Sequence, residues 1–250
     1  MRALGPKILF AIESGSRAWG FPSPDSDYDC RFVYVRPLSE HLVLEQARDV
    51  IEYPIEGEID AGGWDLRKAL LLALAGNAVV VEWANSPIAY EEVDGFRPRL
   101  RDLLAQIVDP VKVSRHYLGL ARSHISRIGN FGAEVKLKKL FYLIRPLVAL
   151  DWMEQRGFAK LPPMSLPDCL SQIDVPADAA DAIGDMIDLK SRTREMGNGP
   201  IPAAIARYLE ARYGHHEMNM PAVAKDEARR SRDRAVAEAF YRREVETAFR

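Results

Sequence analysis

Two carboxylates one residue apart, Asp27 and Asp29, stand at the head of the apolar run 28–35, YDCRFVYV. On a strand, residues i and i+2 point to one face. Two acids side by side at the edge of an apolar segment repel each other unless something positive compensates. A divalent cation is the natural partner, and hard oxygen donors suit Mg²⁺ or Mn²⁺. Upstream, the apolar run KILFAI (7–12) ends in the turn Ser14-Gly15-Ser16. A strand, then Gly-Ser, then a helix start exposes several backbone N–H groups together, a geometry that favours a phosphate. Gly15 lets the backbone approach closely, the Ser16 hydroxyl adds a donor, and Arg17 adds a fixed cationic fork. A phosphate cradle beside a two-carboxylate metal site lets the metal bridge phosphate and carboxylate oxygens.

A third acid would complete a two-metal site. Asp60, in GEIDAGGW, lies on a candidate strand, and Glu58 shares its face by alternation. Asp65 is the rival, more simply read as the N-cap of the helix that follows. Further along, KKLFYLIRP places Lys138, Tyr142 and Arg145 at i, i+4 and i+7, one helical face, while Leu137, Leu140, Phe141 and Ile144 form the opposite, buried face. The basic and aromatic face would bind a triphosphate or stack a base, with an ordinary solvated face as the plain alternative. Pro146 is expected to kink that helix. Glu13, next to the cradle, has the wrong sign for a phosphate neighbour and gains no role from the sequence.

These residues need a scaffold. KILFAI and YDCRFVYV read as strands, SRAWGF as one or two helical turns, and PSPDSD as loop. VIEYPI (50–55) and GEIDAGGW (57–64) read as two more strands. Asp65 starts a helix that Gly76 or Asn77 stops. VVVEWANSP (79–87) fits either a helix or a strand. From about residue 96 the period turns helical, over 96–108, 111–129, 133–157, 176–194, 201–213 and 225–250. KLPPMSLP (160–167) reads as loop. The expected fold class is α+β: a small mixed β-sheet core over residues 1–95, then an all-helical region over 96–250 that completes the cleft and meets the acceptor.

The 250 residues suffice for a sizeable core, and 48% apolar with 28% charged residues is ordinary globular composition. Residues 1–90 carry 13 acids against 8 Lys+Arg, whereas 91–250 carry 23 against 26. That asymmetry suits a metal-binding front and an anion-handling back. No apolar run is long enough for a membrane helix, and MRALGPKILFAIE has too short an apolar stretch for a leader. Cys30 and Cys169 give neither a disulfide framework nor metal spacing, which fits a reduced, cytoplasmic setting. Trp64, Trp83 and Trp152 are expected in the core. His116, His124, His215 and His216 show no ligand spacing and are expected to be structural.

Gly-Ser at a strand end, ten residues, then Asp-x-Asp entering a strand, with a later strand acid, resembles the DNA polymerase β-type nucleotidyltransferase superfamily. Within it, ESGSRAWGFPSPDSDYDCRFVYVRP, GWDLRKALLLALAGN, VEWANSPIAY and KKLFYLIRPLVA resemble the bacterial and phage nucleotidyltransferases associated with RNA repair. The resemblance reaches at least residue 150. It implies a nucleoside triphosphate, two Mg²⁺ ions, and attack of an acceptor hydroxyl on the α-phosphate with loss of pyrophosphate. It implies that Gly15 and Ser16 hold the β- and γ-phosphates, that Asp27 and Asp29 bind the metals, and that Asp60 completes the site and helps deprotonate the acceptor. The expected acceptor is an RNA end, because helices 111–157 are basic. A protein or small-molecule hydroxyl is the alternative, and a non-catalytic nucleotide- or RNA-binding module is the other class.

Overall fold

The computed structural model describes residues 5–132 and 134–249. The first four residues of the stretch weighed as a leader, Ala133 at the start of an expected helix, and Arg250 at the end of another lie outside the described residues. The chain clusters into two compact units.

Unit 1 holds described residues 5–15, 27–109 and 224–249. Its sheet has the order β3-β4-β2-β1-β5, from β1 (Lys7–Glu13), β2 (Tyr28–Val35), β3 (Val50–Glu52), β4 (Ile59–Asp65) and β5 (Ala89–Glu92). β1 runs antiparallel to β2 and β5, β3 antiparallel to β4, and β2 parallel to β4. The sheet is therefore mixed, and with the helices around it the fold is α+β. The β2 run is where the apolar, aromatic and β-branched stretch places it. The two strands expected over 50–64 are shorter, and β5 is an added edge strand whose residues are all exposed.

Apolar burial explains the layers. Phe32 and Tyr34 pack with Ala11 on one side of the sheet. Phe10 stacks on Phe96 at 5.8 Å. A Cβ on Gly63 would run into the Phe32 ring, so glycine lets that ring lie against β4. After two single-turn helices, α1 (Gly15–Ala18) and α2 (Leu38–His41), α3 (Leu66–Ala75) starts at Asp65, which accepts from Arg67 N at 2.8 Å, and ends at Gly76 in the left-handed region. The ambiguous VVVEWANSP is a helix, α4 (Ala78–Asn85), because Asn77 caps it and Val80, Val81 and Trp83 are buried. Trp64 stacks on Trp83 at 4.1 Å.

The division expected at residue 95 is not where the units part. α5 (Phe96–Ile107) and the last helix, α11 (Glu227–Ala248), belong to unit 1. Phe240 of α11 lies 6.0 Å from Phe96, and Glu244 accepts from Arg99. Long-range pairing of this kind leaves no local mark in a sequence.

Unit 2 holds Ser16–Ser26 and Pro110–Val223. Its helices are α6 (Pro110–Ile128), α7 (Leu137–Glu154), α8 (Leu166–Leu170), α9 (Ala177–Arg192) and α10 (Ala203–Asn219). The expected helix over 133–157 opens instead with a short strand, β6 (Glu134–Lys136), paired antiparallel with β7 (Asn198–Pro200). Pro146 lies inside α7. Segment 16–26 is part of this unit: Phe21 stacks on Phe141 at 4.8 Å, and Lys190 Nζ donates to Phe21 O at 2.5 Å. Burial pushes the Lys190 ammonium down to about 8, with Lys138 adding to the shift. Neither cysteine is in a disulfide. No helix among the described residues is long and apolar enough to cross a membrane.

Candidate active site

The parallel pairing of β2 and β4 sets Asp29 directly across from Asp60. Their side chains are 29% and 37% exposed, so both remain open to a ligand. Arg31, two residues on from Asp29 and on the same face, donates from Nη2 to Asp29 Oδ1 at 3.0 Å and to Asp60 Oδ2 at 2.6 Å. Its Nη1 donates to Asp60 O at 2.6 Å. Glu58 precedes β4, and its carbonyl accepts from Tyr28 N at 2.7 Å. Asp65 is buried and capping α3. Of the three candidate third acids, Asp60 is the one in register with Asp29. Asp27 sits exposed one residue before β2.

Glu13 is fully buried and holds this strand end together. Its carboxylate accepts from Asp29 N at 2.9 Å and from the Tyr90 hydroxyl, and its carbonyl accepts from Ser86 Oγ at 2.6 Å. Burial pushes the Asp29 carboxyl above its ordinary range; Arg31 opposes that shift, and the charges of Asp60, Glu13 and Asp27 add to it.

Gly15 is in the left-handed region, and a Cβ there would strike Asp29 Oδ2. Only glycine leaves that carboxylate its place beside the turn. Two oxygen donors held side by side, with one guanidinium shared between them, fit a hard divalent ion. The residues present therefore suit Mg²⁺ or Mn²⁺.

α1 (Gly15–Ala18) continues from Gly15. Ser16 Oγ donates to Ser26 Oγ at 2.9 Å, and Arg17 Nη2 donates to Ser26 O at 2.7 Å. Segment 16–26 is thus closed at its neck, at the residue next to Asp27 in the chain.

Lys138, Tyr142 and Arg145 do not form one exposed face. Lys138 pairs with Asp25 at 3.1 Å, and Tyr142 is exposed. Arg145 is buried among the apolar positions of α7, with its guanidinium over the Trp19 ring at 4.7 Å and donating to Met164 O. A cation that finds an aromatic face and a carbonyl can sit where periodicity expects a solvated residue.

A second cluster lies wholly in unit 2. Ligand atoms of Glu154, His215 and His216 fall within 4.8 Å of one another. Asp151 Oδ1 accepts from Arg212 Nε at 2.8 Å and lies 2.6 Å from His216 Nε2, and Tyr208 donates to Asp151 Oδ2 at 2.5 Å. Arg212 also reaches Glu154. The fold thus brings together ligand atoms that the sequence does not space as a site, and each of these histidines has a carboxylate partner.

Arg31 is the site residue that the sequence reading passed over, and Glu13 the one it left without a role. Arg31 was legible, because 27, 29 and 31 alternate onto one face. Glu13 was not, because its partners come from β2 and β5.

The chain is similar to a family model, a relative and a solved structure. Residues 2–243 match the family model described as the RNA repair pathway DNA polymerase beta family. YcgL of Bacillus subtilis (strain 168), an uncharacterized protein, is 39% identical over 195 residues, 78% of this chain and 74% of that one. The nucleotidyltransferase-like protein from Exiguobacterium sibiricum 255-15 aligns over 95% of this chain and 86% of its own, at 13% identity. Its TM-score of 0.30 is too low to carry weight. The family match spans nearly the whole chain and agrees with the resemblance carried by the Gly-Ser turn and paired acids: this chain belongs to the RNA repair pathway DNA polymerase beta family, a family of nucleotidyltransferases.

Proposed function

We propose that the protein transfers a nucleoside monophosphate from a nucleoside triphosphate to the hydroxyl of an RNA end, with release of pyrophosphate. The observation that carries this is the Asp29–Asp60 register, which sets two carboxylates across from each other with the Gly15 turn against Asp29. In this reading Asp27, Asp29 and Asp60 hold two Mg²⁺ or Mn²⁺ ions. When bound, such ions neutralise charge on the phosphates and lower the cost of pyrophosphate departure.

The remaining roles belong to the chain itself. Gly15 and Ser16 offer backbone N–H groups and a hydroxyl to the β- and γ-phosphates, and Arg17 adds positive charge. Lys138 is the α7 cation assigned to the triphosphate. Asp60 accepts the acceptor's proton as its oxygen bonds to the α-phosphorus and the bond to the bridging oxygen breaks. Glu13, through Asp29 N and Tyr90, fixes the backbone of a metal-holding residue. The helices of unit 2 carry the acceptor.

A binding module without transfer is the second reading. The observation that favours it is Arg31, whose guanidinium already spans Asp29 and Asp60. Incubation with each α-labelled NTP, Mg²⁺ and a panel of RNA, protein and small-molecule hydroxyls separates the two. Label joined to RNA supports transfer to RNA. Label joined only to another acceptor changes the substrate, and tight RNA binding with no label transferred supports the binding module.

A further inference from the structure

One cavity of unit 2 has the makings of a nucleic-acid groove. It is about 520 Å³ in volume and lies along α6, β6 and α7, lined by Arg127, Lys136, Lys139, Glu134, His124 and Tyr142, among others. Arg127, Lys136 and Lys139 are exposed, and none of the three forms an ion pair among the described residues. Three solvated cations around one hollow, offset by the single carboxylate of Glu134, make a local excess of positive charge in a chain whose net charge is −2.

The floor is aromatic. Tyr142 is 44% exposed and stacks on His124, with ring centroids 5.7 Å apart and planes 20° from parallel. Trp19 meets the same tyrosine edge-on at 5.9 Å, which fixes the ring from a second direction. Burial, with Arg127 nearby, pushes the His124 imidazole below its ordinary range. A flat, neutral, half-open pair of rings flanked by cations offers a stacking platform to a base and counter-charges to its phosphates. β6, held to β7 through a buried Val135, carries Glu134 and Lys136 into that wall.

We propose that this groove binds a single-stranded RNA segment, a base stacking on Tyr142 and His124 while Arg127, Lys136 and Lys139 contact the flanking phosphates. The inference rests on the reading that an RNA end is the acceptor, and it names where on unit 2 that strand lies.

The test is fluorescence anisotropy of a labelled single-stranded RNA 12-mer across a salt series, using the full chain and no NTP. Omitting the NTP separates failure here from failure of the transfer reading. The R127A/K136A/K139A variant is expected to bind about tenfold or more weakly and to lose about 2 from the salt slope, near 0.7 per phosphate contact. Tyr142→Ala is expected to lose about tenfold with the salt slope unchanged, as a stacking contact does. Thermal unfolding checks that both variants fold. Absence of RNA binding by the native chain, or unchanged affinity in both variants, overturns the proposal. So does a triple variant that loses a fluorescent ATP analogue but keeps RNA, because the groove would then belong to the nucleotide.

Discussion

Two acid clusters in this molecule are built from similar side chains and differ in how completely they are neutralised. Asp29 and Asp60 are partly exposed and share one guanidinium, and Asp29 lies against a turn that only glycine can form. Asp151 is 3% exposed and is met by Arg212, His216 and Tyr208, while Glu154 is met by Arg212 and His215. The carboxyls respond in opposite directions. Asp29 is pushed up by burial in spite of Arg31. Glu154 is pulled down: burial would raise it, and hydrogen bonds from His215 and Arg212 outweigh that. A saturated cluster holds helices together, whereas an under-neutralised one keeps a repulsion between its carboxylates that a further cation would relieve.

Breaking each cluster should therefore cost different things. The largest effect is expected from Asp29→Ala, which should lower nucleotidyl transfer by about 10³-fold, the loss of several kcal/mol of metal-borne charge stabilisation. Its unfolding midpoint should stay near that of the parent. Asp151→Ala should do the reverse. It strands buried partners and should destabilise the fold by roughly 3–5 kcal/mol in urea unfolding. Transfer per folded molecule should be unchanged.

A smaller effect separates the clusters by pH. Asp29 has a folded value above its unfolded one, so the folded state binds more protons between the two values, and stability falls as pH rises through that interval. Glu154 has a folded value below its unfolded one, so its contribution is present above the unfolded value and lost as pH falls through the folded one. Asp29→Asn should remove the first slope and Glu154→Gln the second, read by unfolding in acidic buffers. The smallest effect is a null: Mn²⁺ stoichiometry by electron paramagnetic resonance should not change in Glu154→Gln or His215→Ala. Loss of a bound ion there, with retention in Asp29→Asn, would invert the comparison.

Much of the open cluster was legible in sequence because its signals are local. β-branched and aromatic density marks Tyr28–Val35, alternation groups 27, 29 and 31, and Asp65 and Gly76 bound α3. Asp60 could be nominated from its strand, but its register with Asp29 depends on which strands pair, and nothing local to residue 60 states that. The saturated cluster was not legible, because residues 151 and 154 meet 208–216 only across the α7–α10 contact. Arg145 misled for a related reason. Helical spacing assigns a charge to solvent unless something buried receives it, and here Trp19 and Met164 do. β5 hid because an exposed edge strand of Ala, Tyr and two Glu has no apolar alternation.

Pyrophosphate release bears most directly on the central claim that the Asp27 and Asp29 strand end holds the metals of a nucleotidyltransferase. It is measured with each of the four NTPs, Mg²⁺ or Mn²⁺, and a panel of RNA ends, for the native chain beside D27A/D29A. The account predicts metal-dependent release with at least one NTP and no release above background from the double variant. Release that survives the double substitution would contradict it.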